Sequence, residues 1–227
     1  SASFLITSRD NEKLKLVRKL AERRWRDKLG LFAVEGEDLV EAAREAGIEP
    51  VELLRAGEDV EPELLATVSE LAHPPRVIGV YKRDDLPRGS RDLTLALWQV
   101  ADPGNVGTLI RAADAFGAAV ALSAGSADTT GPKASRASMG SIFRTPLVGF
   151  DEAEGRRVGL VPEGGRPLGE IDFEGQLVLV LGAERAGLPA HVLARCAESA
   201  TIPLSGGAES LNVATAGAIA LYEARRA

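Results

Sequence analysis

Beyond residue 93 the chain alternates short apolar runs with helical patterns, and few folds accept that rhythm. The runs fall at 93–100, 118–123, 147–150, 157–161 and 177–181, with a shorter one at 201–204. Each has the length of a strand rather than a helix, and they read as strands buried on both faces. Apolar residues at helical spacing fill several of the gaps, at 105–116, 133–141, 188–196 and 210–226. This alternation predicts an α/β fold: a mainly parallel sheet with helices on both sides. Ligands of such sheets bind beyond the carboxyl ends of the strands, so the residues that follow each run carry the most information.

The first third reads as a separate, smaller α/β unit. Leu14, Val17, Leu20 and Ala21 recur at helical spacing, which predicts one amphipathic helix over 10–28 with a basic outer face. A strand at 31–34, a helix at 38–46 stopped by Gly47, a strand at 51–54, a helix at 62–71 and a strand at 77–81 follow. The polar stretch KRDDLPRGSR then marks a linker. The expected division is therefore 1–82, a linker at 83–92, and 93–227.

Charge is unevenly distributed over these parts. The net charge is −6, which by itself argues against a nucleic-acid partner. Residues 1–30, however, carry nine Lys/Arg against four Asp/Glu, while 31–70 carry two against twelve. Such asymmetry permits a phosphate-binding surface on an acidic protein, although a solvated helix face would look the same. No apolar run approaches the ~20 residues of a membrane span, the start lacks the layout of a signal peptide, and Cys196 is the single cysteine. A reducing, cytoplasmic setting is expected. His73 and His191 stand in no metal-like spacing with Cys196, so no metal site is expected; His191 and Cys196 read as packing or surface residues. The G-x-S-x-G elbow, the P-loop pattern and the G-x-G-x-x-G fingerprint are absent.

Three segments follow strand ends and carry candidate chemistry. Residues 102–117, DPGNVGTLIRAADAFG, turn at Pro103-Gly104 and open a helix with Asn105 placed to cap it. Asn105, Thr108 and Arg111, three apart, run along one flank of that helix. Residues 177–189, LVLVLGAERAGLP, take a buried strand straight into Gly182, with Glu184 just beyond; glycine there lets a ligand approach the backbone. Residues 202–223 open with a Gly-rich loop, place Ser210 and Asn212 in the first turn of a helix, and continue with many Ala and Gly. Small residues predict close helix packing, within the unit or across a dimer. Each segment alone is also compatible with an ordinary capped helix or strand-to-helix turn.

Taken in order, the three segments resemble the motifs of the SpoU family of SPOUT methyltransferases: Asn-x-Gly-x-x-x-Arg-x-Ala-x-x-Phe-Gly, then strand-Gly-x-Glu, then Ile-Pro-(Met/Leu)-x-Gly…Ser-Leu-Asn-Val. The likeness covers 93–227. A looser one links residues 4–54, with Ile6-Thr7-Ser8, Asn11, Phe32 and Val34-Glu35-Gly36, to the family's accessory RNA-binding domain. Departures are modest: Arg185 and Ala186 stand where the family often has Gly or small residues, and Ala214-Thr215 replaces a common Ser-Val.

The resemblance implies a five- or six-stranded parallel sheet with a deep trefoil knot, a rarity among chain topologies, and a homodimer whose two subunits complete the site. It implies S-adenosylmethionine as cofactor, held largely by backbone at Gly182, Ile202 and Leu211, with Ala183, Leu204 and Asn212 nearby. It assigns transfer of the methyl group to a ribose 2′-hydroxyl of RNA, rRNA more than tRNA, to Asn105, Arg111, Glu184, Ser210 and Asn212. Arg111 would grip a phosphate by its fork or stabilise the developing alkoxide. Its role as the general base is disfavoured because a guanidinium rarely gives up its proton, and a water- or phosphate-assisted route stays open. Glu184 would orient Arg111 or Asn105. RNA contacts are expected at Arg9, Lys13, Arg24, Lys133, Arg136 and Arg144. With only 4% aromatics, recognition by shape and phosphate contacts is expected over extensive base stacking. An RNA-binding relative without catalysis is the alternative, but it should have lost Asn105, Arg111 or Asn212.

Overall fold

The computed structural model describes residues 4–227; positions 1–3 of the expected N-terminal unit lie outside that range. In the first part, β1 (Leu31–Glu35), β2 (Glu52–Arg55) and β3 (Val77–Lys82) pair antiparallel in the order β1-β3-β2. Helices α1 (Glu12–Leu20), α2 (Arg23–Leu29), α3 (Glu37–Glu45) and α4 (Pro62–Val68) accompany them.

The single helix expected over 10–28 is two. Asn11 caps α1 by accepting the Lys13 N–H at 2.9 Å. The break comes at Ala21-Glu22, where Glu22 is extended. Arg26 holds the break in place: its buried guanidinium donates to the carbonyls of Leu20 and Ala21, both at 3.0 Å. These are carbonyls that a helix end leaves without partners. One of the nine cations assigned to an outer face is therefore internal.

The second sheet has seven parallel strands, one or two more than expected. They are β4 (Leu93–Trp98), β5 (Ala119–Leu122), β6 (Leu147–Gly149), β7 (Arg156–Leu160), β8 (Arg166–Pro167), β9 (Leu177–Gly182) and β10 (Glu198–Thr201), in the order β6-β5-β4-β9-β7-β10-β8. The two-residue β8 has no apolar run to announce it. The run at 201–204 is mostly loop, because Pro203 has no N–H to continue a ladder, and the strand lies earlier at Glu198–Thr201. Leu95, Leu97, Leu179 and Leu181 face α5 (Pro103–Ala115) and α8 (Val213–Arg226) in one core. Ala96, Val178 and Val180 face the other side, with Phe150 and Val192. The small residues of α8 do pack within the unit: a Cβ on Gly217 would come within 2.3 Å of Leu109 Cδ2.

Two shorter helices, α6 (Pro132–Ala137) and α7 (Ala190–Leu193), are cut back from their expected spans. α6 stops because Met139 and Gly140 adopt positive φ, at 51° and 91°. The chain then makes a tight turn at Ser141–Phe143 that inserts into the small unit. Phe143 stands 5.9 Å from Phe32 and 5.1 Å from Tyr81, centroid to centroid. Ile142 and Phe143 are buried with Leu39, Ala42 and Leu86 in a core shared by both units, and burial of Ile142 and of Phe143 contributes about 1.5–3 kcal/mol each. Beside it, Asp128 accepts from Arg26 Nε at 2.8 Å and Arg83 Nη2 at 2.7 Å. The segment read as a linker is thus clamped against both sheets.

Candidate active site

The first motif builds α5, with one correction at its start. Asp102, not Asn105, is the cap: its carboxylate accepts the Asn105 N–H at 2.9 Å, and Pro103 takes the first helical position. A negative side chain suits a helix N-terminus better than an amide does. The Asp-Pro pair was the signal for this cap. Asn105 is thereby set in the first turn with its carboxamide free to point away from the helix. Val106, Leu109, Ile110 and Ala113 bury the opposite flank, while Phe116 is only half-buried. Gly107 lets α6 approach: a Cβ there would lie 2.3 Å from the Ala134 carbonyl oxygen.

The second motif brings β9 into Gly182, and the chain doubles back at once. The Gly187 N–H donates to the Ala183 carbonyl at 2.8 Å. Arg185 and Gly187 both take positive φ, 55° and 64°. A Cβ on Gly182 would meet the Gly187 carbonyl carbon at 2.4 Å, so the glycine is required by the chain itself. The loop presents Glu184, which accepts from Asn105 Nδ2.

The third motif completes the group. Asn212 is the cap of α8 rather than a first-turn residue, and its Oδ1 accepts the N–H groups of Ala214 (2.8 Å) and Thr215 (3.3 Å). Its Nδ2 then faces Asn105 Oδ1 at 3.2 Å and Glu184 Oε1 at 3.4 Å. Capping fixes which end of the amide points inward. Asn105 in the first turn of α5, Glu184 in the loop after β9 and Asn212 at the cap of α8 form one hydrogen-bonded junction.

This junction borders a cleft of about 460 Å³ at the carboxyl ends of β7, β9 and β10. Leu160, Leu181, Ile202, Leu204 and Leu211 make an apolar wall, with Glu184, Arg185, Glu209 and Ser210 at polar points. Gly182, Ala183, Ile202, Leu204, Leu211 and Asn212 all lie on its wall. The volume is that of a small-molecule site, and the lining suits a ligand with an apolar ring and a few polar groups.

Residues 92–222 match the model of the SpoU rRNA Methylase family, and residues 11–83 match the MRM3-like substrate binding domain. The chain belongs to the SpoU family. It is 36% identical over 244 residues to the 23S rRNA (guanosine(2553)-2′-O)-methyltransferase RlmP of Bacillus subtilis, covering 97% of this chain and 98% of that protein. The crystal structure of an AdoMet-bound rRNA methyltransferase from Sinorhizobium meliloti aligns with a TM-score of 0.88 at 31% identity, over 98% of this chain and 97% of that one. The SpoU methyltransferase AviRb of Streptomyces viridochromogenes, in complex with AdoMet, aligns with a TM-score of 0.83 at 28% identity, over 95% and 97%. The resemblance drawn from the three motifs is borne out.

Within the SpoU frame, the other candidates scatter. Ser210 lies on the cleft wall in an exposed loop outside α8. Arg111 stands apart: it is exposed and its Nη1 lies 2.7 Å from Met139 Sδ, with no hydrogen bond to Glu184 or Asn105 among the described residues. Glu184 therefore holds Asn105 and not Arg111. Two residues on from Met139, Ser141 donates to Asp114 at 2.8 Å, and Arg144 pairs with the same carboxylate at 2.9 Å. The motifs alone did not single out Asp114, Arg185 or Glu209.

Of the expected RNA contacts, Lys133 and Arg136 are exposed on α6. Lys13 pairs with Glu52 at 3.1 Å, Arg24 with Glu22 at 2.7 Å, and Arg144 with Asp114. Arg9 is exposed, and its carbonyl accepts from Arg18 at 3.0 Å. His191 meets Trp98 edge-on at 5.4 Å. Cys196 donates to the Val192 carbonyl at 3.5 Å, and burial pushes its thiol up despite Arg157 and Arg195 nearby. Among the described residues no three His, Cys, Asp or Glu side chains gather as metal ligands, and no helix is long and apolar enough to cross a membrane.

Proposed function

We propose that the chain transfers a methyl group from S-adenosylmethionine to a ribose 2′-hydroxyl of rRNA, in preference to tRNA. The observation that carries the proposal is the Asn105–Glu184–Asn212 junction, of which Glu184 and Asn212 line the cleft. The apolar wall of Leu160, Leu181, Ile202, Leu204 and Leu211 would hold the adenosine, with the backbone of Gly182 and Ala183 close by. When bound, the cofactor supplies an electrophilic methyl carbon on a sulfonium. The relatives named above, rRNA 2′-O-methyltransferases and AdoMet-bound structures, support the same reaction here.

The chain's own residues then have a positioning task. A ribose oxygen must be held about 3 Å from the methyl carbon, and its growing negative charge must be met by fixed donors. Asn105 is such a donor: Glu184 takes one N–H of its amide, Asn212 holds its carbonyl end, and the second N–H is left for the oxygen with little reorganisation. Arg111 is unpaired with any carboxylate among the described residues, which leaves its fork for the target phosphate or the alkoxide. Ser210 would hold the ribose or fix the loop.

Residues 93–227 would carry the chemistry, 1–82 would hold rRNA and 83–92 would join them; the two family matches support that division. The deep trefoil knot, the homodimer with a shared site and a cytoplasmic setting belong to the same reading. Arg9, Lys13, Arg24, Lys133, Arg136 and Arg144 are its proposed rRNA contacts. The test is transfer of tritiated methyl to rRNA and tRNA transcripts, with Arg111→Ala alongside and cofactor binding followed by calorimetry. Labelled rRNA, unlabelled tRNA, and an Arg111→Ala variant that binds cofactor without transfer is the expected result. Failure of the wild type to bind cofactor overturns the proposal.

A further inference from the structure

Trp25, on α2, stands among three cations. Lys19 Nζ lies 4.7 Å from its ring centroid, Lys28 Nζ 5.1 Å and the Arg24 guanidinium carbon 5.6 Å. The break between α1 and α2 creates the arrangement, since it folds the end of α1, with Lys19, against the ring. Several neighbouring cations are already neutralised: Lys13 by Glu52, Lys15 by Glu12, Arg24 by Glu22 and Arg26 by Asp128. Lys19 and Lys28 have no carboxylate partner among the described residues, and both stand at the indole. The ring is half-exposed, whereas Phe32 and Tyr81 of the same unit are buried.

We propose that Trp25, with Lys19, Arg24 and Lys28, is a stacking site for one unpaired nucleotide of the rRNA substrate. The proposal rests on the rRNA reading and gives the small unit a defined contact. An indole between two free ammonium groups matches a nucleotide's chemistry: a flat base flanked by two phosphates. Base faces stack on aromatic rings whatever the sequence, and unpaired RNA is where proteins find such faces. In the free protein the lysines satisfy the ring by cation–π contact. On binding, the base takes the ring and the lysines turn to the phosphates, so the surface is not left bare in either state. Low aromatic content argued against extensive stacking, but one well-placed indole is enough for one base.

The chain has two tryptophans, Trp25 and Trp98, so the Trp98→Phe variant leaves Trp25 as the only indole. Its emission is titrated with single-stranded oligoadenylate, with duplex RNA as a control. In parallel, methyl transfer to a 23S rRNA transcript is measured for wild type, Trp25→Phe, Trp25→Ala and the Lys19→Glu/Lys28→Glu double variant. Saturable, salt-sensitive quenching by the single strand is expected, with little by the duplex. Trp25→Ala and the double variant should each raise KM for rRNA roughly tenfold, with kcat and cofactor affinity unchanged and Trp25→Phe in between. Unchanged Trp25 emission on RNA binding, or an unchanged KM in Trp25→Ala, overturns the site. Methyl transfer without a Trp25 response removes the site and leaves the enzyme; quenching without methyl transfer leaves the site and removes the enzyme.

Discussion

Replacing Gly182 by alanine should disable the cleft while leaving the sheet intact. The added Cβ would sit 2.4 Å from the Gly187 carbonyl carbon, 2.5 Å from its oxygen and 2.7 Å from the Leu188 nitrogen. Carbon contacts are comfortable at about 3.5 Å, so something must yield by about 1 Å. All three neighbours are backbone, and none can rotate aside as a side chain would. The 183–187 loop must move, and Glu184 moves with it. Overpacking of this kind costs about 1–3 kcal/mol, or roughly 2–12 °C in Tm for a chain of this size. The larger effect is on rate, because a shift of about 1 Å at a positioning group costs on the order of 100-fold. Melting curves, calorimetry with S-adenosylmethionine and initial rates of methyl transfer to a 23S rRNA transcript would read the three effects. Gly207→Ala is the control, because nothing lies within 4 Å of its Cβ position. Wild-type rate and cofactor affinity in Gly182→Ala would mean that the 183–187 loop does not depend on this close approach.

Other perturbations separate the roles assigned above. Asn212→Ala loses the α8 cap, about 1 kcal/mol of stability, and also frees Asn105 and Glu184; urea unfolding and rate should both respond. Glu184→Gln keeps an acceptor for Asn105 and should retain most of the activity, whereas Glu184→Ala should not; a loss as deep in the Gln variant would make Glu184 a proton acceptor instead. Asp128→Asn leaves Arg26 and Arg83 facing a neutral amide and should cost about 3–5 kcal/mol. Burial raises the Asp128 pKa, but Arg26, Thr130 and Arg83 outweigh it and hold the carboxyl below its ordinary value. The folded pKa is thus below the unfolded one, near 3.9. The wild type's advantage over Asp128→Asn should therefore be full above about pH 4 and fade as pH falls through the folded value. Urea midpoints measured from neutral to acid pH would check the sign.

Much of this was legible because period and punctuation are local properties. β4, β9 and α5 follow from apolar runs and from Asp-Pro-Gly, and the family followed from three motifs in order. What the chain hid is long-range. The split of the first helix depends on Arg26 reaching Asp128, more than a hundred residues away. β8 is an Arg-Pro pair that only its neighbour β10 makes a strand. The shared core at Phe143 cannot be read from a sequence that places it in the larger unit. At the site, the motifs named Asn105, Glu184 and Asn212 but not their mutual hydrogen bonds. They also grouped Arg111 with these three, although its guanidinium rests on Met139.

Whether the methyl group goes to a ribose oxygen is read most directly from its chemical address. Transcripts of 23S rRNA labelled by the enzyme with tritiated S-adenosylmethionine would be hydrolysed in alkali, which cleaves next to a free 2′-hydroxyl and spares a methylated one. The label is expected to survive in alkali-resistant dinucleotides at one position, and Asn105→Ala and Arg111→Ala should remove it. Label released in mononucleotides would place the methyl on a base, and the ribose mechanism drawn from the Asn105–Glu184–Asn212 junction would fall.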